Sequence, residues 1–213
     1  METASICAQF WRCFWLVSCR CWCRNFQSSA MSRHSRGSLA PSVAAFSTIC
    51  YPDERKLPAM TCNHKQLDEV MMAAALAEAC ASVASGGMPF GAVLVVNDEI
   101  ASRGYNRQIQ DGRFLAHAEM ECLESFYRAN SDVALNGATL IATEAPCPMC
   151  AGAAVIAGIS RIVIGEAHHY QGALEWLKVQ DIELTVLNDP DCIGLVEDFK
   201  SKYPDRWSRY SAG

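Results

Sequence analysis

Three residues have the types and spacing to hold a metal ion while leaving it open to chemistry: His117, Cys147 and Cys150. The two cysteines stand three apart in Pro146-Cys147-Pro148-Met149-Cys150, a spacing that puts both sulfurs on one face of a helix. At a helix's first turn the unpaired N–H groups and the positive end of the dipole favour thiolate, the form that ligates zinc. His117 stands at the expected start of another helix, so two helix N-termini can converge on one ion. Three protein ligands leave the fourth tetrahedral position of zinc to water, and the ion lowers that water's pKa towards ~7. Glu119, two residues past the histidine, suits proton transfer better than ligation.

Each half of this pattern has a plainer explanation. A C-x-x-C pair alone is also found in structural zinc sites and redox dithiols. A structural site needs a fourth ligand, and His168 or His169 offers one. A lone H-x-E arises by chance on helices. The combination, with Pro146 ahead of the first cysteine and thirty positions between His117 and Cys147, favours one open, catalytic zinc per chain.

The surrounding elements must position these residues. Apolar residues at Leu67, Val70, Met71, Ala74, Ala77 and Val83 recur with a helical period after a capping Asn63, and Gly86-Gly87 ends that helix. Residues 90–96 read as a buried strand turning at Asn97-Asp98 into a second over 100–105. A loop over 106–112 precedes a helix over 117–129. There follow a strand over 138–143, a small-residue helix over 147–157 and a strand over 161–165. A short helix over 173–178, a strand over 183–187 and a final helix over 191–203 complete the chain. This order predicts an α/β fold of three layers, α/β/α, around a five-stranded mixed sheet. The opening hairpin is antiparallel, and the later strands, joined through helices, are parallel.

Charge and composition narrow the partners. Residues 1–60 hold seven Lys and Arg against three Asp and Glu, whereas residues 61–213 hold eleven against twenty. A body carrying −9 is a poor host for a polyanion, so a small neutral substrate is expected and tRNA is not favoured. Seven of the twelve cysteines fall in the first 62 residues, which is not the pattern of a small disulfide scaffold. Free thiols in a reducing, cytoplasmic setting are expected. The segment 1–60 is read as an N-terminal extension, disordered or a targeting segment, and 61–213 as the folded domain. The extension is Ser- and Arg-bearing, with no acid between Glu2 and Asp53, which also fits an organelle transit peptide. Its apolar stretch is interrupted by Arg12 and Arg20, so no stable membrane insertion is expected.

With these motifs in place, the chain resembles the cytidine deaminase-like superfamily, most closely the fungal-type cytosine deaminases and bacterial nucleoside deaminases. The resemblance spans residues 64–207. It rests on Gly86-Gly87-Met88-Pro89-Phe90-Gly91, Gly104-Tyr105-Asn106, His117-Ala118-Glu119, the Pro-Cys-Pro-Met-Cys box and Tyr203-Pro204-Asp205-Arg206-Trp207. H-x-E followed by P-C-x-x-C is the signature of zinc deaminases. The resemblance implies that Asn106 hydrogen-bonds a ring edge of the substrate and that Phe90, Tyr170 and Trp207 form walls around a flat heterocycle. It places Ala118 against the substrate as well, and it implies a homodimer with active sites near the interface. The activity implied is hydrolytic deamination of a free base, cytosine or a close analogue. The alternatives are tRNA adenosine deamination, guanine or nucleoside deamination, or a non-catalytic deaminase-like binding subunit. Two departures stand out. After Trp207 no carboxylate remains, and Ala145, preceded by Glu144, replaces a small hydroxyl residue before the Pro-Cys.

Overall fold

The computed structural model describes residues 64–211; the extension 1–60 and the expected cap Asn63 lie outside them. The chain runs α1 (His64–Ala84), β1 (Gly91–Val96), β2 (Glu99–Tyr105), α2 (Gln108–Asp111) and α3 (Ala118–Ala129). It continues β3 (Thr139–Glu144), α4 (Pro148–Ala157), β4 (Arg161–Glu166), α5 (Leu174–Leu177), β5 (Glu183–Val186), α6 (Pro190–Lys202) and α7 (Pro204–Ser211). The five strands form one sheet in the order β2-β1-β3-β4-β5. β1 is antiparallel to both β2 and β3, and β3, β4 and β5 run parallel. The mixed sheet and the parallel later strands are as the sequence predicts. Asn97 and Asp98 both take positive φ, 52° and 63°, the backbone of the tight hairpin turn that their side chains tolerate.

Helices cover both faces, and two glycines show how closely. A Cβ on Gly91 would land on the backbone of α1 at Ala75 O and Ala79 N, and one on Gly104 on the backbone of α3 at Ala118 O and Cys122 N. Gly104 pairs with Ala92, whose side chain alternates to the face opposite that of Gly91. α1 and α3 therefore sandwich the β1–β2 hairpin. Facing α3 and α4, the paired residues Ala92 and Ala142, Leu94 and Leu140, and Ile162 and Ile164 of β4 form the main core. On the other face Arg161 of β4 donates to both oxygens of Asp68 in α1, at 2.6 and 2.7 Å, and to Glu183 of β5 at 3.0 Å. This largely buried fork ties the first helix to the far half of the sheet.

Two helices depart from expectation. The loop over 106–112 contains α2, one turn closed by an Arg107–Asp111 ion pair and ended by Gly112 in the left-handed region. The final helix stops at Tyr203 (φ −133°), where the following Pro204 disfavours helical backbone. The chain then restarts as α7, which carries Trp207. None of the helices among the described residues is long and apolar enough to cross a membrane.

Candidate metal centre and its pocket

His117 and Cys147 are not inside helices but are the N-caps of α3 and α4, both with extended backbone (φ −71°, ψ 157° and φ −68°, ψ 167°). Pro148 at the first helical position of α4 needs no amide partner and presets the helical φ. Cys147 therefore meets Cys150 across the first turn, from the cap position and not from within the helix as the spacing suggests. The Cys147 Sγ lies 3.6 Å from His117 Nδ1 and 3.6 Å from Cys150 Sγ, and the three ligand atoms all fall within 4.8 Å of one another. Tetrahedral zinc with ordinary Zn–S and Zn–N bonds has edges of about 3.5–3.8 Å between these donor types. The donor set and its spacing thus fit zinc.

Electrostatics within the triad are graded. The Cys147 thiol is brought down to about 4 by its hydrogen bond with Cys150, with His117 adding to it against the cost of burial. Cys150 moves strongly upward, because of its hydrogen bond with Cys147 and its burial. The protein alone therefore favours ionisation of one thiol, and a bound dication would supply the field that ionises the second. Burial pulls the His117 pKa down, but the bond with Cys147 and the charges of Glu119 and Cys147 outweigh it, and the net shift is upward. Glu119 is 7% exposed, and burial raises its carboxyl, so it holds a proton more readily than a surface glutamate.

The pocket beside the triad brings together Phe90, Asn106, Ala118 and Glu119 with His117 and Cys147. Asn106 is fully buried, its backbone oxygen accepting from Ser82 Oγ at 2.7 Å and from Gln110 Nε2 at 3.0 Å. Its side chain closes a ring with Gln108, accepting from the backbone N–H at 3.1 Å and donating to Oε1 at 2.9 Å. That leaves one amide hydrogen and one lone pair for another partner. Tyr170 and Trp207 do not line the pocket. Trp207 stands behind Phe90, ring centroids 6.4 Å apart. The phenol of Tyr170 is pushed up by burial and then by the charges of Cys147 and Glu144, which places it near the triad's edge.

Of two further lining residues, Thr143 is not singled out by the sequence and Glu144 stands out there only as a charge. Thr143 Oγ1 accepts the Gly91 N–H at 3.1 Å, locking β1 to β3 at the pocket floor. Glu144 lines the same pocket and is 5% exposed. A charged residue at the buried end of a strand is the signal that marks it, since glutamate is seldom found buried.

A fourth protein ligand does not come from His168 or His169. Glu166 Oε2 accepts both of their backbone N–H groups, at 2.6 and 3.1 Å, and Glu166 Oε1 lies 3.3 Å from His169 Nδ1. These histidines form a turn beside the Cys box. Gly172, at φ +54°, brings the following chain against Pro146, where an added Cβ would meet the Pro146 carbonyl; that oxygen accepts the Ala173 N–H at 2.9 Å. The metal-binding group found among the described residues has three members, which leaves the open position of a catalytic zinc.

Residues 65–166 match the cytidine and deoxycytidylate deaminase zinc-binding region. The chain is 32% identical over 142 residues to a cytosine deaminase of Candida albicans, covering 66% of this chain and 94% of that protein. It is 43% identical over 98 residues to a tRNA-specific adenosine deaminase of Bacillus subtilis, covering 46% of this chain and 61% of that protein. A solved structure from work on A-to-I editing by tRNA:A34 deaminases superposes with a TM-score of 0.51 at 29% identity. That match covers 55% of this chain and 97% of the other. Zinc-ligand geometry, sheet order and sequence agree, and the chain belongs to the cytidine and deoxycytidylate deaminase family of zinc-dependent hydrolytic deaminases.

Proposed function

We propose that the chain deaminates a free nucleobase, cytosine or a close analogue. The observation that carries this reading is the convergence of Glu119 and Asn106 on one small pocket beside the metal triad. His117, Cys147 and Cys150 would hold zinc, which supplies a Lewis acid and makes water nucleophilic at neutral pH. Glu119 takes a proton from the attacking water and passes it to the ring nitrogen. It then takes the proton of the newly added hydroxyl and delivers it to the exocyclic amine as the C–N bond breaks, so that the amine leaves as ammonia and the hydroxyl oxygen becomes the carbonyl. Asn106 donates its remaining amide hydrogen to a ring acceptor. Ala118, the first residue of α3, offers a first-turn N–H and a side chain small enough to admit a ring. Phe90, backed by Trp207, forms the apolar wall.

The free-base reading gains from the near full-length similarity to a cytosine deaminase and from the −9 of residues 61–213. Deamination of tRNA adenosine is the second reading, favoured by the higher identity to a tRNA-specific adenosine deaminase. That similarity covers 61% of the tRNA enzyme, and polyanion binding calls for clustered base. A binding subunit without catalysis has no use for the buried Glu119. By likeness to the family we also propose a homodimer. All five cysteines of the described residues are free thiols, which supports a reducing compartment such as the cytoplasm.

Ammonia release from zinc-loaded protein across cytosine, guanine, adenine, their nucleosides and tRNA tests the reading. Turnover concentrated on a free base supports it. Turnover on tRNA alone, or on nothing, overturns it.

A further inference from the structure

Glu166, the last residue of β4, is fully buried, yet it belongs neither to the metal triad nor to the pocket lining. A buried carboxylate is costly unless hydrogen-bonded. This one meets three N–H groups, all from the turn that follows it. Its Oε2 accepts the backbone N–H of His168 at 2.6 Å and that of His169 at 3.1 Å. Its Oε1 lies 3.3 Å from His169 Nδ1; a carboxylate only accepts, so that ring nitrogen carries the hydrogen. The imidazole held in this way stands edge-on to Trp207, with centroids 6.2 Å apart and planes at 79°. Trp207 in turn stands tilted against Phe90, which lines the pocket. Both separations lie within the range of favourable aromatic contact. α7 has an anchor of its own, Arg206 donating to Gly86 O at 2.9 Å, so the turn bears on the orientation of the Trp207 ring.

We infer that Glu166 is a positioning residue for substrate binding: it fixes the turn that seats His169 against Trp207, and Trp207 sets the Phe90 wall on which a flat ring packs. The inference rests on the free-base reading and deepens it by naming the group outside the pocket that shapes its wall. The backbone delimits what the carboxylate does. Glu166 O accepts the Ala145 N–H at 3.0 Å, and Pro146 O accepts the Ala173 N–H at 2.9 Å. Segment 167–172 is therefore fastened at both ends to the chain just ahead of Cys147, while its middle is held by the Glu166 side chain. Releasing the middle frees His169 without detaching the Cys box. Packing against a wall acts on substrate and transition state alike, so its loss raises KM and spares kcat.

The test measures KM and kcat on the best free base with zinc-loaded full-length protein, each variant checked for metal content. Glu166→Ala is expected to raise KM roughly two- to tenfold, the range of one aromatic contact, with kcat per bound zinc near wild type. Glu166→Gln should bring KM back towards wild type. Its amide oxygen can accept both backbone N–H groups, and its NH2 can donate to His169 Nδ1 in the other tautomer. Trp207→Ala should raise KM as well, and adding Glu166→Ala to it should change KM less than about twofold, because the two act along one route. KM does not depend on the fraction of protein that is folded, so a destabilised variant still reports it. An unmoved KM in Glu166→Ala or Trp207→Ala, a Glu166→Gln variant no better than Glu166→Ala, or additive effects in the double variant overturns the inference and leaves the free-base reading standing. Wild-type protein that turns over no free base overturns both.

Discussion

Cys147 Sγ lies 3.6 Å from His117 Nδ1, and each of the two residues is the N-cap of its own helix. The metal site is thus a meeting of two helix ends, where orphan N–H groups and positive dipoles favour negative sulfur. Reactivity at Cys147 follows. In metal-free protein its pKa is brought down to about 4, first by the Cys150 hydrogen bond and then by His117, whereas Cys150 is pushed upward. A thiol depressed from its usual value of 9.0 stays ionised until the pH falls through the folded value. Alkylation by iodoacetamide should therefore modify Cys147 at a rate nearly constant from about pH 6 to 8 and falling below about pH 5. Cys150 should remain unmodified, and zinc should protect both. Peptide mapping reads the outcome, and a rate at Cys147 that climbs steeply between pH 7 and 9 contradicts it.

Glu119 is buried beside the triad without belonging to it. Glu119→Gln keeps volume and hydrogen-bonding capacity but cannot carry a proton. Zinc content and thermal unfolding should stay near wild type, while kcat falls by about 10²–10⁴-fold or more. Activity retained in a zinc-replete variant would show that the proton moves another way.

The triad and most of the elements are legible because they announce themselves locally. Periodicity marks α1, Asn97-Asp98 marks the hairpin, and the H-x-E and C-x-x-C spacings mark the ligands. Other features depend on contacts that no local pattern states. The pairing of β1 with β3, residues 91–96 with 139–144, joins segments far apart in the chain. The break at Tyr203 is written in Pro204, but that the chain resumes as α7 and sets Trp207 behind Phe90 follows from packing. Glu144 was visible as a charge. Its place in the pocket depends on β3 ending beside the Cys box.

Asp68 and Arg161 test the long-range tie between α1 and the sheet. Their side chains are 6% and 15% exposed, and the guanidinium grips both carboxylate oxygens. Asp68→Ala leaves that cation largely buried with only exposed Glu183 and the Thr185 hydroxyl as partners. The expected loss is about 3–5 kcal/mol of unfolding free energy, towards the lower end because Glu183 remains. Removing both with Asp68→Leu and Arg161→Met should recover much of it, since no uncompensated charge is left. Urea titrations of the single and double variants measure the difference. A double variant no more stable than Asp68→Ala would mean that the fork stabilises through its geometry and not by neutralising charge.

Gly104 links strand to chemistry most directly. A methyl group there would meet Ala118 O and Cys122 N, backbone atoms of the helix whose cap is His117 and whose second residue is Glu119. Backbone cannot swing aside as a side chain can, so Gly104→Ala must push α3 off the sheet. Overpacking of this kind costs about 1–3 kcal/mol, occasionally more, and here the displacement is carried to a metal ligand and the proton carrier together. Displacements of about 1 Å can cost on the order of 10²-fold in rate, so kcat should fall even in samples kept well below their melting temperature. Zinc should also dissociate faster, because His117 is drawn away from Cys147 and Cys150. Gly152→Ala in α4 is the control: an added Cβ there has open space around it, and alanine suits a helix interior better than glycine. It should leave zinc retention unchanged and stability equal or higher. Equal zinc off-rates in Gly104→Ala and wild type would show that α3 is held by contacts other than its seat on β2.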